Sequence, residues 1–205
     1  MKTLSRILSG IFSPLLLPTY SVALAFLATA LAYAPGGVRL RLLLICFAVT
    51  CIVPLIAILA LKKLGAISDT GLNVREDRPV PYILVGICYG FCGIILSNAH
   101  APSWLVAFMY AGVFAAVVNV VVNIWWKISA HLAAMGGALA LVFRLASSEL
   151  FLPQVSALGA VITAVILTGA VATARVYLGR HTLMQTVAGT ANGFLWVWLF
   201  TAFSM

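Results

Sequence analysis

Long apolar runs separated by short polar breaks follow one another along almost the whole chain. Seven runs have about the length that a helix needs to cross a bilayer. They cover residues 11–34, 41–61, 82–98, 104–124, 130–148, 154–173 and 183–204. In lipid, backbone N–H and C=O groups find no water to bond, and a helix pairs them within its own segment. Such apolar runs are therefore typical of spanning helices. The pattern predicts an all-α fold, a polytopic transmembrane helix bundle of about six to seven spans.

Composition supports a membrane protein of one bundle. The chain has 205 residues, of which 64% are hydrophobic and 8% are charged, whereas ordinary soluble domains carry about 25% charged residues. We therefore expect a single integral-membrane domain over residues 1–205. The start, MKTLSRILSG, resembles a signal peptide, but the following run lacks a clear cleavage site, so we expect a retained first helix. The four cysteines lie inside apolar runs and are expected to be buried thiols.

The net charge of +8 raises the possibility of nucleic-acid binding, which the charge positions argue against. The basic residues stand at the ends of apolar runs. There they act as topology signals, headgroup anchors or ligands for anions. We therefore expect membrane lipids, and no nucleic acid, as partners.

Three breaks hold nearly all of the polar chemistry. They are the long loop at 62–81, WWKISAH at 125–131 and ARVYLGRHT at 174–182. Two predicted helices separate each break from the next, so all three face the same side of the membrane. That side carries nine basic residues against three on the other, but five of the nine are candidate site residues. The positive-inside rule therefore leaves the membrane face of the site undecided.

Cationic residues in these breaks form a candidate anion site, made by Arg75, Arg78, Lys127 and Arg175, with Arg180 nearby. Arginine forks match phosphate oxygens, and lysine adds a point charge. Ser129 precedes an apolar run as an N-cap residue does, which would add a hydroxyl and free backbone N–H groups. The alternative is an ordinary belt of arginines at the lipid headgroups.

Two histidines accompany the cations. His131 and His181 each stand at a predicted helix start on the site side. A histidine can act as nucleophile or general acid near neutral pH, so the pair suits phosphoryl transfer beside an anion site. A metal site is the competing hypothesis. It is less favoured because only four carboxylates exist, one of them on the wrong side. His100, on the opposite side, is interpreted as structural.

The three breaks resemble, in order, the three signatures of the type 2 phosphatidic acid phosphatase (PAP2) superfamily. ARVYLGRHTLMQ, at 174–185, resembles the third signature, S-R-x5-H-x3-D. ISAH, at 128–131, resembles the second, P-S-G-H. REDRP, at 75–79, resembles the end of the first, K-x6-R-P. The matched positions span about half of the chain, within a signature region at 71–193.

The resemblance implies a role for each matched residue. His181 would be the nucleophile that forms a phosphohistidine, and His131 would protonate the leaving group. Arg78, Arg175 and Ser129 would bind the phosphoryl group. Family members act without metal or other cofactor on phosphatidate, phosphatidylglycerophosphate or polyprenyl (di)phosphates, so a phospholipid or polyprenyl phosphate is the expected substrate.

The chain departs from the family pattern at several positions. Gly71 stands at the place of the family lysine, which Arg75 or Lys127 would have to replace. Gln185 stands where the family has the aspartate that orients the nucleophilic histidine. Its amide oxygen can accept an imidazole N–H and fix the tautomer, but it supplies no negative charge. We therefore expect a slower or differently tuned enzyme.

Three other functions stay open from the sequence. A phosphotransferase would use the same phosphohistidine with another acceptor. A non-catalytic lipid-phosphate binder would keep the arginines without turnover, and Gln185 favours it. A prenyltransferase needs aspartate-rich motifs, whereas the chain has two aspartates. Short loops and the lack of a eukaryotic sorting motif indicate a prokaryotic cytoplasmic membrane. The sequence indicates no oligomeric state.

Overall fold

The computed structural model describes residues 1–205 and is all-helical apart from one isolated bridge between Thr29 and Phe151. Short 3-10 and π segments lie at Ala30–Tyr33 and Ala48–Ile52. The α-helices are α1 (Lys2–Ile11), α2 (Leu17–Ala28), α3 (Gly36–Phe47), α4 (Val53–Lys63), α5 (Pro79–Asn98), α6 (Ser103–Asn123), α7 (Ala130–Ser147), α8 (Ala157–Tyr177) and α9 (Leu183–Ala202).

Five segments are long and apolar enough to cross a membrane, which supports the predicted helical membrane bundle. They are Gly36–Lys63, Pro79–Asn98, Ser103–Asn123, Ala130–Ser147 and Ala157–Tyr177. Helix α9 has 20 residues, but polar side chains lower its hydropathy, and α2 has only 12 residues. The count of six to seven spans therefore stays a prediction.

The first apolar run is broken into pieces, unlike the single retained helix expected over 11–34. Helix α1 ends at Ile11, a non-helical stretch follows, and α2 begins at Leu17. Pro18 stands in the first turn of α2, where its missing N–H costs nothing, and so starts a helix instead of kinking one. Helix α1 exposes Ile7 and Ile11 on the face opposite Lys2, as an interfacial amphipathic helix does.

The second run is interrupted at its centre. Helices α3 and α4 join through the π segment, and Pro54 lies in the first turn of α4. A proline donates no backbone hydrogen bond, so the regular helical ladder cannot continue through it. The ladder is interrupted as a π turn just before Pro54.

Helices α7 and α9 approach each other backbone to backbone. A Cβ atom on Gly193 would lie 1.8 Å from the carbonyl oxygen of Ala133, and one on Gly136 would lie 2.1 Å from that of Thr190. Only glycine fits at such distances, as the small-residue spacing on α9 predicts. This contact fixes the start of α7 against the start of α9.

Buried polar side chains join further helices. The amide nitrogen of Asn192 donates to the carbonyl of Ala115, at 3.0 Å, and to Oδ1 of Asn119, at 3.1 Å. The Asn119–Asn192 hydrogen bond therefore joins α6 to α9 inside the bundle. All four cysteines are buried and free, which confirms the prediction of buried thiols.

The three polar breaks meet at one end of the bundle. The guanidinium of Arg78 donates to the carbonyl of Ile128 at 2.9 Å, which joins the long loop to WWKISAH. The backbone N–H of Ser129 donates to the carbonyl of Gln185 at 3.3 Å, which joins WWKISAH to the start of α9. The common side predicted by counting crossings is confirmed.

Candidate active site

A cavity of about 230 Å³ runs from this end into the bundle. Its polar end is lined by Arg78, Tyr82, His131, Arg175 and His181. Its inner part is lined mainly by apolar side chains of α5, α6, α7 and α9. The cavity is therefore amphipathic, with the cationic groups gathered at one end.

Arg78 is buried and held rigidly at the mouth of the cavity. Its Nε donates to the carbonyl of Leu72 at 2.8 Å, and its Nη1 donates to the carbonyl of Ile128 at 2.9 Å. The hydroxyl of Tyr82, one turn further along α5, lies 3.5 Å from the same Nη1. Leu72 adopts a positive φ of 50°, which is rare for a residue other than glycine. The strained loop thus provides a ligand for the guanidinium.

Arg175 lies in the last turn of α8, also buried, and its side chain makes no hydrogen bond to any other residue. No carboxylate pairs with it or with Arg78, because the only ion pair in the chain joins Arg75 and Glu76. A buried cation without a partner is costly. The two arginines together therefore form an uncompensated positive site that favours an anion.

Gln185 fixes the tautomer of His181. Its Oε1 accepts the backbone N–H of Thr182 at 3.2 Å, which identifies this atom as the amide oxygen, and it lies 3.1 Å from Nδ1 of His181. An oxygen can only accept, so Nδ1 of the imidazole carries the proton. Nε2 of the neutral ring then holds a free lone pair. Thr182 and Gln185 also form a capping box at the start of α9.

His181 is neutral at physiological pH in this environment. Burial lowers its pKa to about 3, and the nearby charges of Arg78 and Arg175 act in the same direction. Among the causes of this shift, only the hydrogen bond with Gln185 opposes it, because that bond favours the charged ring. A neutral imidazole with a free Nε2 is the form that can attack phosphorus.

His131 lies in the first turn of α7 and is tied to the N-terminal helix. Its Nε2 lies 3.1 Å from the carbonyl of Ser9, a group that can only accept, so Nε2 carries a proton. Helix α1 therefore lies against the second histidine as well as against α8. Sequence patterns alone gave no reason to place α1 at the site.

Ser129 occupies the N-cap position of α7 but does not cap it. Its side chain is fully buried and its hydroxyl has no hydrogen-bond partner. The expected capping bond is therefore absent. Unpaired buried hydroxyls are uncommon. Ser129 itself does not line the cavity, but the next two residues, Ala130 and His131, do, so its unpaired hydroxyl lies close behind the cavity wall.

Lys127 and Arg75 are less central than predicted. Lys127 is half-buried near the mouth, where burial and the charges of Arg78 and Arg175 lower its pKa. Arg75 turns to the surface and donates to the carboxylate of Glu76 at 3.2 Å. Neither side chain lines the cavity. The expected phosphate-binding role of Arg75 does not fit this position, because its guanidinium already has a partner.

Several lining residues escaped the sequence interpretation. Tyr82 was not among the predicted site residues, yet it is buried at the cavity beside Arg78. Its spacing of four residues from Arg78 on one helix was the available signal. Loop residues 70–72 and the stretch at 13–18 also line the cavity. Their position at the cavity depends on tertiary packing, so the sequence pattern could not predict it.

The site has no evident set of metal ligands. Nowhere in residues 1–205 do three histidine, cysteine, aspartate or glutamate side chains gather in a group that could hold a metal ion. The donors present are cationic, neutral imidazole or hydroxyl groups, which suit an anion.

Comparison with known proteins assigns no family. No family model matches the chain, and no curated protein and no solved structure is significantly similar to it.

Proposed function

We propose that the protein is a metal-independent membrane lipid phosphatase that works through a phosphohistidine. One observation carries the proposal. Two buried arginines without a carboxylate partner stand beside a neutral histidine with a free Nε2, at the mouth of an apolar cavity. The cations suit a phosphate group, the histidine suits attack on phosphorus, and the cavity suits an apolar tail.

In the proposed complex the phosphoryl group lies between Arg78 and Arg175. Arg78 is already fixed by two backbone carbonyls, so it needs little reorganisation on binding. Arg175 is unpaired and gains its first partner. The hydroxyl of Ser129 and the first N–H groups of α7 add neutral donors. Charge that develops on the equatorial oxygens is stabilised by these groups.

The first step transfers the phosphoryl group to His181. The lone pair on Nε2 forms the N–P bond while the bond from phosphorus to the ester oxygen breaks. Gln185 keeps the proton on Nδ1 throughout. His131, protonated on both ring nitrogens in this complex, gives its Nδ1 proton to the departing oxygen, which leaves as the lipid alcohol, and the ring becomes neutral.

The second step restores the enzyme. Neutral His131 takes a proton from water, whose oxygen attacks phosphorus, and the N–P bond breaks with its electron pair returning to Nε2 of His181. One water is consumed, and one lipid alcohol and one inorganic phosphate are produced. The neutral Gln185 cannot stabilise positive charge on the His181 ring as a carboxylate would, so a modest rate is expected.

The motif resemblance supports the same assignment. The residues that match the PAP2 signatures, Arg78, Ser129, His131, Arg175 and His181, gather around one end of the bundle, whereas Arg75, outside the signature match, turns away. We place the protein in a prokaryotic cytoplasmic membrane, acting on a phosphatidate, phosphatidylglycerophosphate or polyprenyl phosphate.

Gln185 favours a second candidate, a non-catalytic lipid-phosphate binder. Such a protein keeps the arginine site but has no charged partner for His181, as here. A phosphotransferase is a third outcome, in which an alcohol replaces water in the second step.

The test is phosphate release by purified protein in detergent with EDTA present. Wild type, His181→Ala and the control His100→Asn, at the opposite end of the bundle, are given phosphatidate, phosphatidylglycerophosphate and polyprenyl phosphates. We expect phosphate release from wild type and from the control, and none from His181→Ala. Transfer of labelled phosphate to an added alcohol without release identifies a phosphotransferase. If the protein binds the lipid phosphates but releases no phosphate and forms no phosphohistidine that can be trapped, the phosphatase proposal is overturned and the binder remains.

A further inference from the structure

We infer that the inner cavity measures the chain length of the substrate: it holds one hydrocarbon chain of the lipid phosphate inside the bundle, and Phe108, Met109 and Val197 form the floor that stops it. The inference rests on the proposed function, because it takes the phosphate to be bound at Arg78 and Arg175. It adds that the one chain which enters the bundle has a limited length, and it names the residues that set the limit.

The depth of the cavity follows from the helices that line it. On α5 the lining extends from Arg78 to Tyr89, and on α6 from Asn119 back to Phe108. Each stretch advances eleven residues, which is about 16 Å at the rise of an α-helix. Both run from the cationic end toward the opposite side. The cavity is therefore long and parallel to the helices, as an extended chain would require.

The walls of the inner cavity are small and apolar. Ala115, Ala116, Ala133, Ala134 and Gly137 line it where larger side chains would fill it. Protein interiors are close-packed, and an apolar void is destabilising unless something occupies it. Water is a poor occupant, because it needs two to four polar partners. A hydrocarbon chain matches both the shape and the chemistry.

The floor is built into the main hydrophobic core. Met109 is 1% exposed and Val197 is 3% exposed, and both belong with Phe108 to the largest buried apolar cluster. These side chains pack against neighbours on several helices, so they resist displacement by a longer chain. A chain that reaches them has no further space along the cavity.

The side of the cavity is closed by irregular backbone. Ser13, Pro14 and Leu15, between α1 and α2, line it, and the hydroxyl of Tyr89 donates to the carbonyl of Pro14 at 3.1 Å. Non-helical backbone at membrane depth is tolerated where it lines a cavity or is buried in protein. The bond from Tyr89 satisfies a carbonyl that the break in the helix leaves free, so this wall is a stable part of the fold.

The test compares three variants on a series of straight-chain alkyl phosphates from butyl to hexadecyl phosphate. Ala116→Leu reduces the volume of the cavity, and Met109→Ala lowers its floor. Ala60→Leu is the matched control, because it makes the same substitution at an exposed position on α4. For each protein, kcat/KM for phosphate release and the affinity for the matching alkyl phosphonates are measured. The phosphonates report binding even if no turnover occurs.

We expect the two cavity variants to shift the chain-length preference in opposite directions. Ala116→Leu should lose about tenfold or more with the longest chains that wild type accepts and keep short ones, because one excess methylene is already strongly disfavoured in a closed pocket. Met109→Ala should accept longer chains than wild type, and Ala60→Leu should match wild type. An unchanged length preference in both cavity variants overturns the inference while leaving the phosphatase intact. Length-dependent phosphonate binding without turnover leaves the inference standing and overturns the phosphatase.

Discussion

The side-chain oxygen of Gln185 lies 3.1 Å from Nδ1 of His181 and also accepts the backbone N–H of Thr182. One atom therefore orients the imidazole and caps α9. The second bond fixes the identity of the amide oxygen, and that in turn fixes the histidine tautomer. The relationship gives His181 a free Nε2 without giving it a counter-charge.

Substitution at Gln185 should change the rate in opposite directions. Gln185→Glu keeps the length and the capping bond but adds a negative charge, which stabilises the imidazolium and raises the pKa of His181. We expect phosphate release to rise by about tenfold. Gln185→Ala should lower it by about a hundredfold or more, because the tautomer is no longer fixed. Steady-state kinetics at pH 7 measures both, and equal rates in the alanine variant and wild type would contradict the orienting role.

The two buried arginines should differ in their effect on stability. Arg175→Met removes an unpaired buried cation, so thermal stability without ligand should be unchanged or higher, while phosphate affinity falls by about ten- to a hundredfold. Arg78→Met leaves the carbonyls of Leu72 and Ile128 without a donor, so it should destabilise the protein by about 1–3 kcal/mol for each. Unfolding in detergent with and without phosphate distinguishes them. Equal loss of stability in both variants would show that Arg175 has a partner.

The contact between α7 and α9 should tolerate no side chain. Gly193→Ala places a Cβ atom against the backbone of Ala133, which cannot move without separating the helices, so we expect loss of stability and of activity together. Gly169→Ala, in α8, meets open space and should raise stability by as much as about 1 kcal/mol through helix propensity. Thermal unfolding of both variants provides the comparison. A Gly193→Ala protein as stable as wild type would mean that the helices are less close.

Stability should decrease as the solution becomes acidic, partly because of His181. Its pKa is lowered to about 3 in the folded protein from an ordinary value near 6.5. The unfolded chain therefore binds more protons between these values, and the contribution is intact above pH 6.5 and is lost progressively as pH falls toward 3. The slope from this group is at most about 1.4 kcal/mol per pH unit.

Two variants isolate this contribution. His181→Asn lacks the titrating group, and Gln185→Glu raises its pKa, so both should show a shallower loss of stability between about pH 6.5 and 4. Thermal unfolding across that range is the measurement. Slopes equal to that of wild type would mean that other groups dominate the acid sensitivity.

The sequence by itself determined the bundle and most of the polar end. Run length and hydropathy depend only on local composition, so helices α5 to α9 were predicted within a few residues of their ends. Counting crossings placed the three breaks on one side, because each spanning helix reverses the side of the chain. The spacing of four between His181 and Gln185 predicted their hydrogen bond. These features follow from rules that act along the chain.

Tertiary structure decided which side chains meet between neighbouring helices and where a cavity is left. The chain between α1 and α2 is non-helical, and Pro18 stands in the first turn of α2, a break that the apolar run at 11–34 did not indicate. Arg75 and Arg78 lie three residues apart in the same polar loop, but only Arg78 faces the carbonyls of Leu72 and Ile128. The cavity itself is a space left between four helices, and no residue pattern encodes its volume. Long-range contacts determine these properties, because the free energy of a buried charge or void depends on every neighbour that surrounds it.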